Sequence, residues 1–383
     1  MILPKKQLRD IERTAYPIKS RSTKIRLDRN ERTVDFPPEL IEELRGLLTA
    51  FVLRAYPEMD QFYEALSQWS GFTADQLLAT DGADGGLHRV FATYVSEGDE
   101  VVVLSPSYSM YPVYCRMYGA HVRPLTFDKN LNLPFEKVLA SARSGVRLLA
   151  LANPNQPIES CYPLDALRQL AKRCAEYDVL LMVDEAYYHF CSVTAAPLVH
   201  EFENVVVVRT LSKAFGLAGL RIGYLIAASP TIKALRALKP IYEINHLNAA
   251  IAAYLLKKPK VMEDYVASVQ LGRNVLKEFF ARYKCEVYGQ HTNTVLVRLP
   301  KTVPAYPLTA ALHSVGWLIK AEIERTGALE HNIREQLLRE FNNPIRIGST
   351  EDVGSLVVFA VSSRASWLHG ATIDLDGGEI PVL

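Results

Sequence analysis

The sequence lacks long hydrophobic runs, internal repeats, low-complexity tracts and any excess of charge of one sign. No apolar stretch approaches the roughly 18 residues that a membrane-spanning helix requires. The 43 basic and 42 acidic residues leave a formal net charge of +1, which does not support a general role in binding nucleic acid or a membrane surface. We therefore expect neither a nucleic-acid partner nor a membrane partner.

Cysteine is scarce as well. The five cysteines are odd in number, lie far apart and form no CxxC pair: Cys115, Cys161, Cys174, Cys191 and Cys285. This pattern indicates a reduced, intracellular protein with buried or inert thiols and no structural zinc. The charged N-terminal segment 1–22 has no apolar core of a secretory signal. We expect a cytoplasmic protein that binds no metal.

The composition is that of a folded protein, and the hydrophobic pattern indicates its class. Of the 383 residues, 49% are hydrophobic and 22% are charged, as in ordinary globular domains. Short runs that are apolar on both faces alternate with segments of helical spacing, and they occupy 100–104, 121–125, 147–152, 179–183, 205–208 and 222–227. Such strands predict an α/β fold with a parallel or mixed sheet covered on both sides, whose sites lie at the carboxyl ends of the strands.

The pattern changes near both ends of the chain. After Ala249 a long helical stretch leads to a strand-like run at 294–299. We predict an N-terminal arm at 1–45, a large domain at 46–250 and a smaller C-terminal domain at 251–383.

Two of the predicted strands end in residues that carry chemistry. Asp184 and Tyr187 follow the strand at 179–183, and Lys213 follows the strand at 205–208. An acid, a tyrosine and a lysine at neighbouring strand ends suit pyridoxal phosphate (PLP). The lysine forms a Schiff base with the cofactor aldehyde, and the acid keeps the pyridine nitrogen protonated, so that the ring acts as an electron sink. Ser212 and Arg221 offer a hydroxyl and a forked cation for the phosphate.

The stretch from Thr210 to Tyr224 reads TLSKAFGLAGLRIGY. It resembles the lysine motif of fold-type I PLP enzymes, in particular class I/II aminotransferases of the histidinol-phosphate aminotransferase kind. The resemblance implies a large domain with a mostly parallel sheet between helices, a smaller α+β C-terminal domain, and a homodimer with its active site at the subunit interface. It makes Lys213 the catalytic residue and places Thr210 among the cofactor contacts.

Further segments match the family's motifs in the same order along the chain. In Leu-Asp-Arg-Asn-Glu, the resemblance implies that Asn30 lies over the active site on the substrate side. In Ala-Tyr-Pro, it implies that Tyr56 reaches the cofactor phosphate of the other subunit. In Pro-Ser-Tyr-Ser-Met-Tyr, Tyr108 would stack on the cofactor ring, whereas we predict Tyr111 to be a core residue.

The segment Thr-Asp-Gly-Ala-Asp-Gly-Gly matches the loop that opens a helix beneath the cofactor phosphate. The resemblance makes Gly82, Ala83 and Asp84 cofactor-binding residues, because backbone N–H groups at a helix N-terminus favour an anion. The sequence departs from the family at Gly85, where an acid is usual. It departs again at Gln156, which replaces the asparagine that bonds the ring oxygen in the family.

The C-terminal end supports two interpretations. By position, Arg346 could be the family arginine that binds the substrate carboxylate. The tail at about 326–383, however, resembles the end of a short-chain dehydrogenase. No Gly-rich dinucleotide loop follows the first strand, and the YxxxK spacing of Tyr254 and Lys258 falls in a plain helical stretch. We therefore expect the tail to replace part of the small domain or to serve in oligomerisation.

Three functions are compatible with these motifs. The first is a PLP-dependent aminotransferase that passes the amino group of an amino acid or amino-acid-like phosphate to a keto acid. The second is a PLP-dependent decarboxylase of a phosphorylated amino acid, because the bond that breaks depends on how the substrate is oriented. The third is a catalytically degenerate PLP-fold binding protein. Intact Lys213, Asp184, Tyr187 and Arg221 together argue against the third.

Overall fold

The computed structural model describes residues 2–9, 11, 21, 23–128, 130–282 and 285–298, together with short strands within 317–376. The chain divides into two compact units. One contains Met1–Pro17 and Val34–Ala267, and the other contains Ile18–Thr33 and Ser268–Leu383. The domain boundaries expected at 45/46 and 250/251 stay a prediction.

The strands and helices are numbered along the chain. The strands are β1 (Ile25–Arg26), β2 (Leu77–Asp81), β3 (Glu100–Ser105), β4 (His121–Thr126), β5 (Val146–Ala152), β6 (Leu180–Asp184), β7 (Val205–Thr210), β8 (Ile222–Ala227), β9 (Glu286–Tyr288), β10 (Thr294–Arg298), β11 (Trp317–Leu318), β12 (Lys320–Ala321) and β13 (Thr372–Asp376). The α-helices are α1 (Pro38–Arg45), α2 (Ala50–Arg54), α3 (Asp60–Ser70), α4 (Gly82–Tyr94), α5 (Met110–Tyr118), α6 (Phe135–Ser141), α7 (Leu164–Glu176), α8 (Ser229–Arg236), α9 (His246–Leu256) and α10 (Lys260–Arg282).

The first unit is built on a seven-stranded sheet in the order β2-β8-β7-β6-β5-β3-β4. The strands from β3 to β7 pair in parallel. Strand β8 runs antiparallel to both of its neighbours, β7 and β2. All six predicted strands are present, and the predicted α/β fold with a mostly parallel sheet is confirmed. Strands β6 and β8 are buried along their whole length, as expected for a sheet covered on both faces.

Amphipathic helices pack against this sheet. Helix α7 buries Leu167, Leu170, Ala171 and Cys174, positions that share one face because they are three, four and seven residues apart. Helix α4 lies close against the sheet because it carries Gly86. A Cβ atom at this residue would lie 2.8 Å from the Leu225 side chain on β8, so any larger residue would push the helix outward.

The second unit contains a four-stranded sheet in the order β12-β13-β10-β9 and a separate pair formed by β1 and β11. Strand β13 pairs in parallel with β10, with Thr294 opposite Thr372. Part of the unusual tail therefore lies in a sheet of this unit, while the remainder of 326–383 lies outside the described residues. No helix in the described part of the chain combines the length and the hydrophobicity needed to cross a bilayer.

A buried ion pair joins the loop after β6 to β7. The Arg209 Nε atom lies 2.9 Å from Glu185 Oε2, and the two side chains are 6% and 0% exposed. Glu185 also accepts hydrogen bonds from the backbone N–H of Ala195 and the hydroxyl of Thr194. The guanidinium carbon lies 3.7 Å from the ring centre of Tyr188. Both charged groups therefore have further partners besides each other, as a stable buried pair requires.

We expect Arg209→Leu to lower the free energy of unfolding by about 3–5 kcal/mol, because it leaves the Glu185 carboxylate buried without its cation. Denaturant unfolding of the purified variant measures this loss. Arg168→Leu is the matched control: it breaks the half-exposed Arg168–Glu201 pair and should cost less than about 1 kcal/mol. Equal losses in the two variants would contradict the assigned role of the buried pair.

Candidate active site

One edge of the seven-stranded sheet gathers most of the predicted site residues of the first unit. The strand register places Ala152, the last residue of β5, opposite Asp184, the last residue of β6. It also places Thr210, the last residue of β7, opposite Gly223 near the start of β8. Strand β2 ends at the same edge, with Asp81 opposite Ile222. The segments next to these strand ends therefore lie side by side at this edge.

Helix α4 begins at this edge, directly after β2, with Gly82, Ala83 and Asp84 as its first residues. Gly82 has a φ of 66°, a left-handed conformation that glycine adopts without strain. Its N–H donates to the carbonyl of Arg221 over 3.1 Å. A Cβ atom on Gly223 would lie 2.4 Å from the Gly82 carbonyl carbon. Only glycine at 223 permits this approach, which brings the start of β8 against the helix N-terminus.

The Arg221 guanidinium lies beside this helix end. A Cβ atom on Gly82 would come within 2.6 Å of Arg221 Nη2, so a larger residue here would displace the guanidinium. Arg221 lies 3.7 Å from a carboxylate oxygen of Asp81 and 3.7 Å from one of Asp84. All three side chains are about half exposed, and both distances exceed hydrogen-bond length. A helix N-terminus next to a guanidinium fork has the chemistry of a phosphate site.

Asp184 is a buried carboxylate at the centre of the edge. Its Oδ2 atom accepts a 2.6 Å hydrogen bond from the Tyr111 hydroxyl, and its Oδ1 atom accepts a 3.0 Å bond from the N–H of Ala186. Burial raises the pKa of Asp184 to about 6, while these two hydrogen bonds lower the pKa in part. A buried acid of this kind gains stability from a nearby cation such as a protonated pyridine nitrogen.

Tyr111 is a site residue that sequence reasoning missed. It was predicted to be core, and it is indeed only 1% exposed, but its hydroxyl is bonded to Asp184. Tyr108, three residues earlier, is 36% exposed and donates to the Asp84 carboxylate. Burial, followed by the charge of Asp84, raises the pKa of Tyr108 well above its ordinary value. Tyr111 lies three residues after Tyr108 in the segment that follows β3, and this spacing was the signal that the sequence offered.

Lys213 lies in the turn that follows β7. The N–H of Gly216 donates to the Lys213 carbonyl over 3.0 Å and closes this turn. The Lys213 Nζ atom lies 6.0 Å from the ring centre of Tyr187. Thr210 and Ser212 are joined through the Ser212 N–H, which donates to the Thr210 hydroxyl over 3.1 Å. Lys213 and Tyr187, which were predicted from neighbouring strand ends, thus lie near each other in the fold.

The loop that carries Gln156 is held by two buried asparagines. The Asn153 side chain pairs with the backbone of Tyr162, donating over 3.2 Å and accepting over 2.7 Å. Asn155 donates to the carbonyls of Ile158 and Pro106. These bonds fix the loop at the same edge as Asp184, since the Asn153 N–H also donates to the Asp184 carbonyl. The role of Gln156 itself stays a prediction.

At Gly85, where an acid is usual in the family, a carboxylate from a distant segment lies nearby. A Cβ atom on Gly85 would lie 3.4 Å from Glu243 Oε1, so the Glu243 carboxylate occupies the space next to residue 85. Glu243 accepts from the N–H of Asp81 and forms a 2.7 Å ion pair with Arg89, and both members of that pair are nearly buried. A carboxylate is therefore present beside the first turn of α4, although it comes from a distant segment.

The remaining predicted residues belong to other segments of the chain. Tyr56 is 73% exposed and stacks on Tyr242 with ring centres 4.2 Å apart. Asn30 belongs to the second unit, is buried, and its carbonyl accepts a bond from the Asn293 side chain. Arg346 lies outside the described residues. Within those residues, no group of three or more His, Cys, Asp or Glu side chains could hold a metal ion.

Residues 22–339 match the family Aminotransferase class I and II. The chain belongs to this family. The histidinol-phosphate aminotransferase of a Thermoanaerobacter species is 30% identical over 288 residues, which are 74% of this chain and 81% of that protein. The histidinol-phosphate aminotransferase of Pyrococcus furiosus is 27% identical over 325 residues, covering 84% and 89% of the two chains.

Solved structures share the fold of this aminotransferase. The histidinol-phosphate aminotransferase from Sinorhizobium meliloti in complex with pyridoxal-5'-phosphate superimposes with a TM-score of 0.72 at 23% identity, covering 78% of this chain and 82% of that chain. A double mutant of Thermus thermophilus aspartate aminotransferase gives 0.71 at 21% identity, covering 83% and 91%. The predicted fold type, PLP as cofactor and a PLP-dependent transaminase acting on a small molecule are confirmed. The family match ends at 339, ahead of most of the tail.

The residues present at the edge fit PLP in this aminotransferase. The start of α4 with Arg221 and Ser212 would hold the phosphate, the buried Asp184 carboxylate would hold the ring nitrogen, and Lys213 would bond the aldehyde carbon. Each of these pairings matches a charge or a donor of the protein with a complementary group of the cofactor.

Without cofactor, the raised pKa of Asp184 makes the stability of the protein depend on pH. The unfolded carboxyl ionises near 3.8, whereas the folded one keeps its proton up to about pH 6. Ionisation therefore costs the folded state about 3 kcal/mol once the pH exceeds 6, and nothing below 3.8. We expect Asp184→Asn to stabilise the cofactor-free protein by about 1–3 kcal/mol at pH 8 and to have little effect at pH 4.

Denaturant unfolding of the cofactor-free protein at the two pH values measures this difference. Asp178→Asn is the control, because Asp178 is exposed after the end of α7 and its replacement should change stability by less than about 0.5 kcal/mol at both pH values. A stabilisation by Asp184→Asn that is the same at pH 4 and pH 8 would contradict the raised pKa.

Proposed function

We propose that this aminotransferase takes the amino group from an amino acid or an amino-acid-like phosphate and passes it to a keto acid, with Lys213 as the catalytic residue. The observation that supports the proposal is the convergence, at one sheet edge, of Lys213, the buried Asp184 carboxylate and the start of α4 with the Arg221 guanidinium beside it. Family membership alone would leave open whether this chain keeps a working site, and the convergence argues that it does.

PLP, when bound, supplies an electron sink that makes the proton on the substrate α-carbon acidic. The Lys213 amine removes this proton and returns it, acting first as general base and then as general acid. Asp184 keeps a negative charge against the ring nitrogen, and Tyr111 orients the carboxylate through its 2.6 Å hydrogen bond. Tyr187 and Gln156 would donate to the ring oxygen, and Tyr108 would cover one face of the ring.

Phosphate binding follows from the geometry around Gly82. The N–H groups at the start of α4 point toward the edge and carry the positive end of the helix dipole. Arg221 and Ser212 add a forked cation and a hydroxyl, with Thr210 positioning Ser212 through the bond between them. On the substrate side we propose Asn30 and Arg346, the latter for the carboxylate or an equivalent anion of the substrate.

The amino donor is proposed from the relatives. Several of them carry the name histidinol-phosphate aminotransferase, which makes histidinol phosphate the first donor to test. The replacement of the family's asparagine by Gln156 alters the loop beside the substrate, so a panel of amino acids belongs in the same assay.

A homodimer is supported by an exposed apolar patch on the first unit. The patch consists of side chains from two segments: Leu48, Phe51, Leu53, Tyr56, Leu238, Ile241 and Tyr242. The stack of Tyr56 on Tyr242 joins the two segments. A group of large apolar side chains of this kind marks an interaction surface. We propose that a second copy of the chain covers the patch. Tyr56 of each copy would then contact the cofactor phosphate in the site of the other copy.

The tail and the location of the protein are proposed on less direct grounds. Strand β13 extends the sheet formed by β10 and β9, which supports a tail that replaces part of the small domain. We propose a cytoplasmic location because the five cysteines are not joined by disulfide bonds.

We expect Lys213→Ala to lower transamination by at least roughly a thousandfold, because it removes the group that transfers the proton. The assay follows formation of the new amino acid from a keto acid, with histidinol phosphate and single amino acids as donors. Lys233→Ala on the exposed face of α8 is the control and should retain full activity. Release of carbon dioxide without any need for a keto acid would contradict transamination.

The same inactive chain tests the dimer. Co-expression with a Tyr56→Phe chain under a second affinity tag yields a hybrid in which one site has its own Lys213 and receives an unaltered Tyr56. That hybrid should bind PLP at one site with native affinity, whereas the Tyr56→Phe homodimer should bind about tenfold more weakly. A hybrid that binds no better than the Tyr56→Phe homodimer would show that Tyr56 acts within its own subunit.

A further inference from the structure

Two cysteines that are distant in sequence meet beside the site. The Sγ atoms of Cys161 and Cys191 lie 3.2 Å apart. Cys161 follows the loop after β5, and Cys191 follows the loop after β6, which are the two loops that carry Gln156 and Tyr187. Cys191 is buried, while Cys161 is partly exposed.

The backbone around the pair holds both residues in place. Cys161 lies between Ser160, whose carbonyl accepts from the Asn155 N–H, and Tyr162, which is paired with Asn153. On the other side, the N–H of Val193 donates to the Cys191 sulfur over 3.4 Å. The sulfurs therefore face each other across two ordered loops. A disulfide requires them to approach to about 2.05 Å, a movement of about 1.1 Å.

We infer that Cys161 and Cys191 are a modification site, at which a reversible intramolecular disulfide forms when the protein meets a low-molecular-weight disulfide such as oxidised glutathione. The Cys161 thiolate, on the accessible side, attacks one sulfur of the small disulfide; that S–S bond breaks and one small thiol leaves. Cys191 then loses its proton and attacks the Cys161 sulfur, which releases the second small thiol. The two cysteines are oxidised and the small disulfide is reduced to two thiols.

The environment of the pair determines the rate of this exchange. The hydrogen bond between the two thiols, followed by burial, raises the pKa of the Cys161 thiol. The thiolate is the attacking species, so exchange should be slow at neutral pH and should accelerate as the pH rises. Both thiols therefore stay reduced until the concentration of oxidant is high or contact with it is prolonged.

The crosslink would act on the site through the loops that it joins. Phe190, directly before Cys191, donates its N–H to the Tyr187 carbonyl over 3.1 Å, and the Cys161 loop contains Gln156. This consequence rests on the proposed function of these residues at the cofactor. Because the loops must absorb the movement of the sulfurs, oxidation should weaken PLP binding by roughly fivefold or more, the lower end of usual coupling between sites.

The test oxidises the purified full-length protein with oxidised glutathione at pH 8, quenches with acid, and labels the remaining thiols with a maleimide after unfolding. Mass spectrometry should find three of the five cysteines labelled, a single Cys161–Cys191 linked peptide, and full relabelling after dithiothreitol. Cys285→Ser should form the same linked peptide. Cys161→Ser and Cys191→Ser should not form this peptide. Because Cys161 is partly exposed, its replacement should disturb the fold less than replacement of the buried Cys191.

Labelling of all five cysteines, or glutathione retained on Cys161 without a link, would overturn the inference. The PLP dissociation constant of the oxidised and reduced forms is measured separately. A linked peptide with unchanged PLP binding supports the disulfide and overturns its coupling to the cofactor. Failure of the protein to bind PLP in either form contradicts the proposed function. The labelling of the cysteines does not depend on PLP, so it still tests the disulfide.

Discussion

A carboxylate held out of water at the end of a central strand is the feature on which the site depends. Asp184 is the last residue of β6, flanked by β5 and β7 and nearly buried. An ionised carboxylate in such a place is unfavourable unless a cation or hydrogen-bond donors face it. Tyr111 and the Ala186 N–H supply two donors, and the remaining deficit favours binding of a cationic ring. In the site that we propose, the bound cofactor would relieve this unfavourable charge of the folded state.

The rest of the edge serves to bring an anion site near this carboxylate. Gly82 and Gly223 pack closely enough that a side chain on Gly223 would overlap the backbone of its neighbour. This contact ties the start of α4 to the start of β8, and so places Arg221 beside the helix N-terminus. The fold therefore places a guanidinium and a buried carboxylate at one sheet edge, as the proposed contacts to the phosphate and the ring nitrogen require. Lys213 follows β7, the strand next to the one that ends in Asp184.

Much of this could be predicted from the sequence because the information is local. The apolar runs specified six strands of the sheet, and the lysine motif specified the family. What the sequence did not disclose are contacts between distant segments: Tyr111 with Asp184, Glu243 beside Gly85, and Cys161 with Cys191. Each depends on where a side chain points after the sheet has formed, which periodicity does not encode. The prediction for Arg346 falls on residues that the structure does not describe.

Locating the covalent bond between protein and cofactor tests the assigned site most directly. The protein is incubated with PLP, reduced with sodium borohydride, digested and mapped by mass spectrometry. We expect one modified residue, Lys213, and no modification of the Lys213→Ala chain. Modification of a different lysine, or no modification of the native protein, would contradict the assignment of this sheet edge as the cofactor site.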